Sequence, residues 1–184
     1  MFHAPPPAEA AAMQRAEGVV RIAVKLRAGQ TVLDRLHQSG CGKARMPRAD
    51  GFEAVLLNTA GGLTGGDRMA VEIAAPAGCR VTAASQTAER IYRTLGGAAR
   101  VLNRLTIGPG ARIDWLPQET ILFDGGALER RLIVEMAPDA TLLAVEPLIL
   151  GRAAMGERVR SGALADIWRV RRGGRLLHAD ALRF

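Results

Sequence analysis

The chain has 184 residues, and its content of 48% hydrophobic and 23% charged residues is typical of a globular protein rather than a disordered one. Its net charge of +7 comes mainly from scattered arginines, while only 4% of the residues are aromatic, which disfavours base stacking on nucleic acid and fits acidic protein partners. No apolar run approaches the roughly 18 residues of a membrane span, so we expect no membrane helix.

A low-complexity leader opens the chain, and the first β signal follows it directly. Residues 1–16 are rich in Ala and Pro and are expected to be disordered, whereas residues 17–184 are predicted to form a single β domain. Apolar residues then alternate with polar ones and predict a strand with one buried face, at Val20, Ile22, Val24 and Leu26. A turn at Gly29-Gln30 leads into a second strand over Thr31–His37, which completes a hairpin.

Most of the remaining chain also has strand patterns. Residues 39–51 are rich in breakers and predict a loop. Further strands are predicted at Phe52–Asn58, around Met69, Val71 and Ile73, and at Arg80–Ser85, Val101–Ile107, Arg112–Leu116, Leu128–Met136, Thr141–Val145, Ile167–Arg172 and Arg175–Ala181. The last two strands flank Gly173-Gly174 and predict a hairpin. Helical signals are confined to Ser85–Leu95 and, more weakly, Ala153–Val159.

One type of connection between strands recurs three times. Pro76, Pro109 and Pro138 each lie in a short turn between two strand patterns. Because Pro fixes φ and a neighbouring Gly or Asp tolerates a tight turn, these segments indicate a strand–turn–strand unit stacked side by side. We therefore predict a mainly β fold, a layered antiparallel or mixed β scaffold of sandwich-like or solenoid-like type with one or two short helices.

A glycine-rich segment, Asn58–Asp67, has the densest turn signal. Its glycines allow close approach of the backbone to another surface, at Gly61, Gly62, Gly65 and Gly66. A phosphate-binding P-loop requires Lys and Ser or Thr after its last glycine, whereas Gly66 precedes Asp67. The segment is therefore interpreted as a structural inter-strand loop or a docking loop.

Three carboxylates and one arginine stand out in the second half of the chain. Glu119 and Asp124 flank an apolar run and are expected to point into one cavity, as a general acid–base pair, a hard-cation site or a hydrogen-bonded structural pair. Glu146 ends an apolar strand, and we expect it to point inward and pair with Arg152, or to form a simple surface ion pair.

Cysteine and histidine are too sparse for a tight metal site. Cys41 and Cys79 are far apart and are predicted to be free thiols, which suits the cytoplasm. The three histidines form no metal-ligand or catalytic spacing with other residues, so any divalent ion is expected to be held loosely by oxygens.

Four blocks in this order resemble the urease accessory protein UreD (also called UreH) family. The blocks are Asn58–Asp67, Gln86–Arg93, Trp115–Gly125 and Leu150–Glu157, and the resemblance covers roughly Gly18 to Phe184. It implies a mostly β scaffold without enzymatic activity. It also implies a cytoplasmic role in urease maturation, with apo-urease, the helical accessory protein UreF and the nickel-delivering GTPase UreG as partners. Family members usually run longer, so the chain is expected to lack a C-terminal extension.

The resemblance also suggests roles for individual residues. Four carboxylates in or near the blocks are candidates for weak, transient contact with Ni²⁺, namely Asp67, Glu119, Asp124 and Glu146, and no tightly bound cofactor is expected. Partner contacts or structural roles are expected for the four loop glycines and for Trp115, Gln118 and Arg152. Two alternatives remain open at this point, a carboxylate-dependent β-fold hydrolase and a β interaction module without a metal role.

Overall fold

A computed structural model describes residues 14–184 and consists almost entirely of β-strands. Most of the predicted leader lies outside the described residues. The strands are β1 (Glu17–Arg27), β2 (Gln30–Gly40), β3 (Gly42–Arg45), β4 (Phe52–Asn58), β5 (Arg68–Ala75), β6 (Arg80–Ser85), β7 (Glu89–Ile91), β8 (Ala99–Ile107), β9 (Arg112–Leu116), β10 (Thr120–Leu122), β11 (Ala127–Met136), β12 (Thr141–Ala144), β13 (Leu148–Leu150), β14 (Ala163–Arg172) and β15 (Arg175–Arg183). A single turn of 3-10 helix follows β13 at Ala153–Met155.

The strands form three sheets through which the chain passes repeatedly. The orders are β15-β14-β11-β8-β5-β1-β2 in the seven-stranded sheet, β12-β9-β6-β4-β3 in the five-stranded sheet, and β13-β10-β7 in the three-stranded sheet. The chain passes through the seven-stranded, five-stranded and three-stranded sheets in that order three times, as β5-β6-β7, β8-β9-β10 and β11-β12-β13. We call each of these passes a coil, and equivalent strands of successive coils pair in parallel. This architecture is a β-solenoid of stacked coils, which confirms the mainly β, layered prediction.

The three proline turns form one corner of the solenoid. Gly78 N–H donates to the Pro109 carbonyl at 2.8 Å, and Gly108 N–H donates to the Ala75 carbonyl at 2.8 Å. The third turn continues the stack, because Ala137 N–H donates to the Ile107 carbonyl at 2.8 Å. The predicted side-by-side stacking of the three connections is therefore confirmed.

Buried and exposed residues alternate along the strands, so one apolar face of each sheet is turned toward a common interior. Val20, Ile22 and Val24 of β1 are buried, while the residues between them face outward. The middle coils contribute side chains that are fully buried, among them Leu105, Ile113 and Leu132. Burying a side chain of this size stabilises the fold by roughly 1.5–3 kcal/mol, so these rows carry most of the driving force for coil stacking.

Antiparallel hairpins lie at both edges of the seven-stranded sheet. The first hairpin pairs β1 with β2, and the second pairs β14 with β15, so both predicted hairpins are confirmed. Cys41 and Cys79 are free thiols, as predicted. Within residues 14–184 no helix is long and apolar enough to cross a membrane.

The helix predicted at Ser85–Leu95 is wrong. Strand β6 ends at Ser85, the chain turns through residues 86–88, and β7 then pairs in parallel with β10. Ser85 Oγ donates to the Thr87 carbonyl instead of capping a helix. Pairing with the next coil satisfies the backbone groups here, so tertiary contacts override the local helical preference.

Two other local predictions need partial correction. The second predicted helix is reduced to the 3-10 turn, because Gly156 adopts the left-handed conformation with φ of 71° and ends it. Residues 39–51 are only partly a loop, since β2 extends to Gly40 and β3 pairs with β4. The glycines in this segment weaken the strand pattern of β3, which its pairing with β4 stabilises.

Candidate functional site

A cavity of about 110 Å³ lies inside the solenoid, between the sheets. Several of its lining residues are exposed, namely Gly61, Gln86, Thr87, Arg90 and Gln118. Others are buried in the interior, namely Asn103, Trp115, Thr120 and Arg130, together with the side chain of Glu146. The lining therefore runs from the protein surface into the core.

A cluster of buried polar side chains forms the inner end of the cavity. Glu146 lies in the corner between β12 and β13, and only 1% of its side chain is exposed. Its Oε1 accepts hydrogen bonds from Asn103 Nδ2 at 2.8 Å and from Trp115 Nε1 at 2.9 Å. Its Oε2 lies 3.3 Å from Arg130 Nε. Arg130 also pairs with Asp166 of β14, so the cluster spans the second and third coils and the strand that follows them.

This buried polar cluster has an unbalanced charge. One guanidinium, that of Arg130, faces two carboxylates, so the cluster has one excess negative charge when both are ionised. Glu146 Oε2 accepts no hydrogen bond, although it is buried. Burial raises the pKa of Glu146 above its ordinary value, against the opposing effects of Arg130 and of the two donors. The inner end of the cavity can therefore attract a proton or a small cation.

A second carboxylate with a perturbed pKa lines the outer part of the same cavity. Asn58 Nδ2 donates to both oxygens of Glu89, at 3.1 and 3.2 Å. Burial raises the pKa of Glu89, and the hydrogen bond from Asn58 opposes this shift. Glu89 was not among the candidate site residues because its segment was predicted as a helix. Its place in Gln86–Arg93, the second of the four blocks that carry the family resemblance, was the available signal.

The glycine-rich segment packs directly beside Glu89. Tyr92 Oη donates to the Gly61 carbonyl at 2.9 Å, and Leu63 forms an isolated bridge with Ile91. A Cβ atom at Gly62 would collide with the Tyr92 ring, and one at Gly65 would collide with the Gly96 carbonyl. Close packing therefore accounts for these glycines, which have a structural role in this loop.

We expect Gly65→Ala to lower the free energy of unfolding by about 1–3 kcal/mol, the usual cost of inserting a group where no space exists. The added Cβ would also approach the Thr94 hydroxyl and the Gly97 carbonyl. Gly96→Ala is the matched control, because nothing lies within 4 Å of its added Cβ. Equal urea denaturation midpoints for the two variants would contradict the packing described here.

Two predicted site carboxylates serve local backbone structure. Asp67 is buried and accepts hydrogen bonds from the Ala16 and Thr64 amides, at 2.9 and 2.8 Å. Asp124 Oδ1 accepts from the Arg160 amide at 2.8 Å and from the Ser161 amide at 3.0 Å. These two amides hold the pKa of Asp124 below its ordinary value. Neither carboxylate lines the cavity.

The expectation that Glu119 and Asp124 share one cavity is wrong. Glu119 does not line the cavity, and Asp124 lines a separate depression near Gly156. The short strand β10 lies between the two residues in sequence and pairs on both sides with neighbouring coils. This strand separates the two carboxylates, so the structure does not favour the acid–base pair that a hydrolase needs.

The expected partner of Glu146 is also wrong. Arg152 instead pairs with Glu157, with Nε and Oε2 2.9 Å apart, and its guanidinium lies 4.2 Å from the centre of the Phe123 ring. Arg152 is exposed beyond β13, whereas Glu146 faces the interior, where Arg130 is its one ion-pair partner among residues 14–184. Of the other predicted residues, Trp115 and Gln118 both line the cavity.

The described part of the chain contains no group of three or more His, Cys, Asp or Glu residues arranged to hold a metal ion. The carboxylates that line the cavity are Glu89 and Glu146. Carboxylate oxygens suit hard or borderline divalent cations, and one or two of them bind such ions more weakly than a complete ligand set.

Comparison with known proteins agrees with the resemblance inferred from the four blocks. The sequence profile described as UreD urease accessory protein matches residues 16–184. The chain is 53% identical to the urease accessory protein UreD of a Chelativorans species over 178 residues, which are 96% of this chain and 64% of that protein. It is 52% identical to UreD of Rhizobium etli over 93% of this chain and 63% of that protein. It is 47% identical to UreD of Brucella suis over 93% of this chain and 62% of that protein. The chain thus spans less than two thirds of the length of these relatives.

Proposed function

Because this chain belongs to the UreD family of urease accessory proteins, we propose that it acts in urease maturation. In this proposal it is a cytoplasmic, non-enzymatic protein that docks on apo-urease. UreF binds it as the helical accessory partner, and UreG joins the assembly as the GTPase that delivers nickel. The similar proteins of the Chelativorans species and of Rhizobium etli are urease accessory proteins by name, which supports this role.

We further propose that the cavity passes Ni²⁺ toward apo-urease, with nickel as cargo rather than as a resident cofactor. The observation that carries this proposal is Glu146, a buried carboxylate whose Oε2 accepts no hydrogen bond at the inner end of the cavity. Glu89 supplies a second carboxylate toward the surface. A cargo ion must enter a conduit favourably and leave it again, and sparse oxygen ligands provide such weak binding.

In this proposal the four predicted transit carboxylates have different parts, which their contacts support. Glu146 is the one that lines the cavity. Asp67 and Asp124 hold loops through backbone amides, and Glu119 lies outside the cavity lining. The proposal therefore routes the ion past Glu89 and Glu146.

The test is nickel-dependent urease activation by Glu89→Gln and Glu146→Gln, alone and combined. The chain would be co-expressed with urease, UreF and UreG, and complex formation would be measured by pull-down. We expect the double variant to form the complex and to lower activation at least tenfold, a change of about 1.4 kcal/mol or more in the overall process. The matched control is Glu135→Gln, an exposed carboxylate on the outward face of β11.

Each outcome separates the parts of the proposal. Normal activation by the double variant would show that nickel does not depend on the cavity carboxylates, and would favour a β interaction module without a metal role. Failure of the unaltered chain to bind apo-urease or UreF would contradict the docking role.

A further inference from the structure

The outward face of the seven-stranded sheet contains a second depression, and its lining differs in chemistry from that of the cavity. Register places Arg68, Ala70 and Glu72 of β5 beside Arg100, Leu102 and Arg104 of β8, and Leu102 beside Arg131 of β11. Three apolar residues form the floor of the depression, namely Ala70, Leu102 and Ile133. Four arginines and two carboxylates surround it, namely Arg68, Arg100, Arg104 and Arg131 with Glu17 and Glu129.

Three of these arginines, Arg68, Arg104 and Arg131, are exposed, and we name them the arginine triangle. Two nearby carboxylates on the same face are already paired, since Arg21 lies 3.3 Å from Glu72 and Arg100 lies 3.3 Å from Glu129. A third, Glu17, lies opposite Arg68 in register. None of the three triangle arginines forms an ion pair with a carboxylate anywhere in residues 14–184. The depression therefore combines an apolar floor with an excess of positive over negative side chains.

The dimensions of the triangle match those of an α-helix. Outward residues on one strand are about 6.6 Å apart and neighbouring strands about 4.8 Å apart, so the Cα atoms of the triangle are separated by roughly 8–14 Å. An α-helix with side chains is about 10–12 Å across. A helix lying over Leu102 can thus direct acidic side chains on one flank toward Arg68 and on the other toward Arg104.

We propose that this depression binds an acidic amphipathic helix of a partner protein. Apolar side chains of the helix contact the floor, and flanking carboxylates pair with the arginine triangle. Nucleic acid would leave the apolar floor without a partner, and the depression has no aromatic side chain on which a base could stack. The inference does not depend on nickel transit, because none of the triangle residues lines the cavity.

The probe is a fluorescein-labelled helical peptide of about 16 residues, with a leucine stripe flanked by glutamates, which is long enough to cross five strands. Binding to the full chain would be measured by fluorescence anisotropy. We expect saturable binding that weakens at least tenfold in the variant Arg68→Glu, Arg104→Glu, Arg131→Glu. The matched control reverses three exposed arginines elsewhere, Arg45, Arg158 and Arg175, and changes the net charge equally.

The apolar floor is tested separately by Leu102→Ser, which leaves every charge in place. We expect this variant to weaken peptide binding at least threefold. The proposal is overturned if the control triple variant loses as much affinity as the triangle variant, or if Leu102→Ser has no effect, because binding would then be unspecific attraction. Tighter binding of a DNA duplex than of the peptide, or no peptide binding at all, would also overturn it.

Discussion

Replacing Arg130 with methionine is expected to lower the free energy of unfolding by about 3–5 kcal/mol at neutral pH, the cost of removing one partner from a buried ion pair. The guanidinium is the counter-charge in contact with both Glu146 and Asp166, and it is 4% exposed. Methionine fills similar volume, so the loss would report the two uncompensated carboxylates rather than a cavity.

The same variant should show a characteristic pH dependence. Burial already raises the pKa of Glu146 in the folded protein, and removal of Arg130 takes away the largest opposing effect. A carboxyl group with a raised folded pKa is most favourable to stability below its unfolded pKa of about 4.3, and this contribution is lost as pH rises through the folded pKa. The stability deficit of Arg130→Met should therefore shrink as the pH is lowered toward 5.

Urea denaturation across this pH range measures both effects. Arg131→Met, at the next position, is the matched control, because Arg131 is exposed on the outward face and should change stability by no more than about 0.5 kcal/mol. A deficit below about 1 kcal/mol for Arg130→Met, or one independent of pH, would contradict the electrostatic account.

Replacing Leu132 with alanine is expected to cost about 2–5 kcal/mol, the usual range for a large-to-small change in a core. Leu132 lies near the middle of β11, and its side chain is fully buried between the sheets. Strands β8 and β14 flank it on both sides, so the coils cannot easily collapse into the space that its methyl groups would leave.

Ile133→Ala is the control for this prediction. Ile133 follows Leu132 in the strand and points to the outward face, where we expect a loss of less than about 1.5 kcal/mol. Thermal or urea denaturation of both variants gives the comparison. A larger loss at Ile133 than at Leu132 would mean that β11 has the opposite face turned to the core.

The parts of the fold that were predictable are those in which local pattern and long-range pairing agree. Alternation identified β1, β5 and β11, and the recurring proline turns at Pro76, Pro109 and Pro138 indicated stacked units. The segment after Ser85 could not be identified in this way. A strand of three residues such as β7 has too little pattern of its own, and its pairing with β10 comes from the stacking of coils.

The candidate site was predictable in its residue types more than in its contacts. Glu146 was expected to be buried and paired, and it is, but its partner lies on β11 rather than in its own block. Arg130 and Glu146 belong to the same coil, and their contact depends on how that coil folds back through the sheets, which spacing along the chain does not encode. Glu89 was missed because its segment was predicted as a helix, and its contact with Asn58, 31 positions away, was not visible in the local pattern.

The position of Arg130 has a consequence for how the coils find their correct order. Repeated units can mispair during folding, because one coil resembles the next. On the inward row that contains Arg130, the preceding strands present Met69 and Val101, and only β14 presents a carboxylate, that of Asp166. A chain that slipped by one coil would keep Glu146, which belongs to the same coil as Arg130, but it would place an apolar neighbour where Asp166 lies and bury the guanidinium without this second partner, which is unfavourable. The ion pair between Arg130 and Asp166 therefore disfavours stacking in which the coils are out of order.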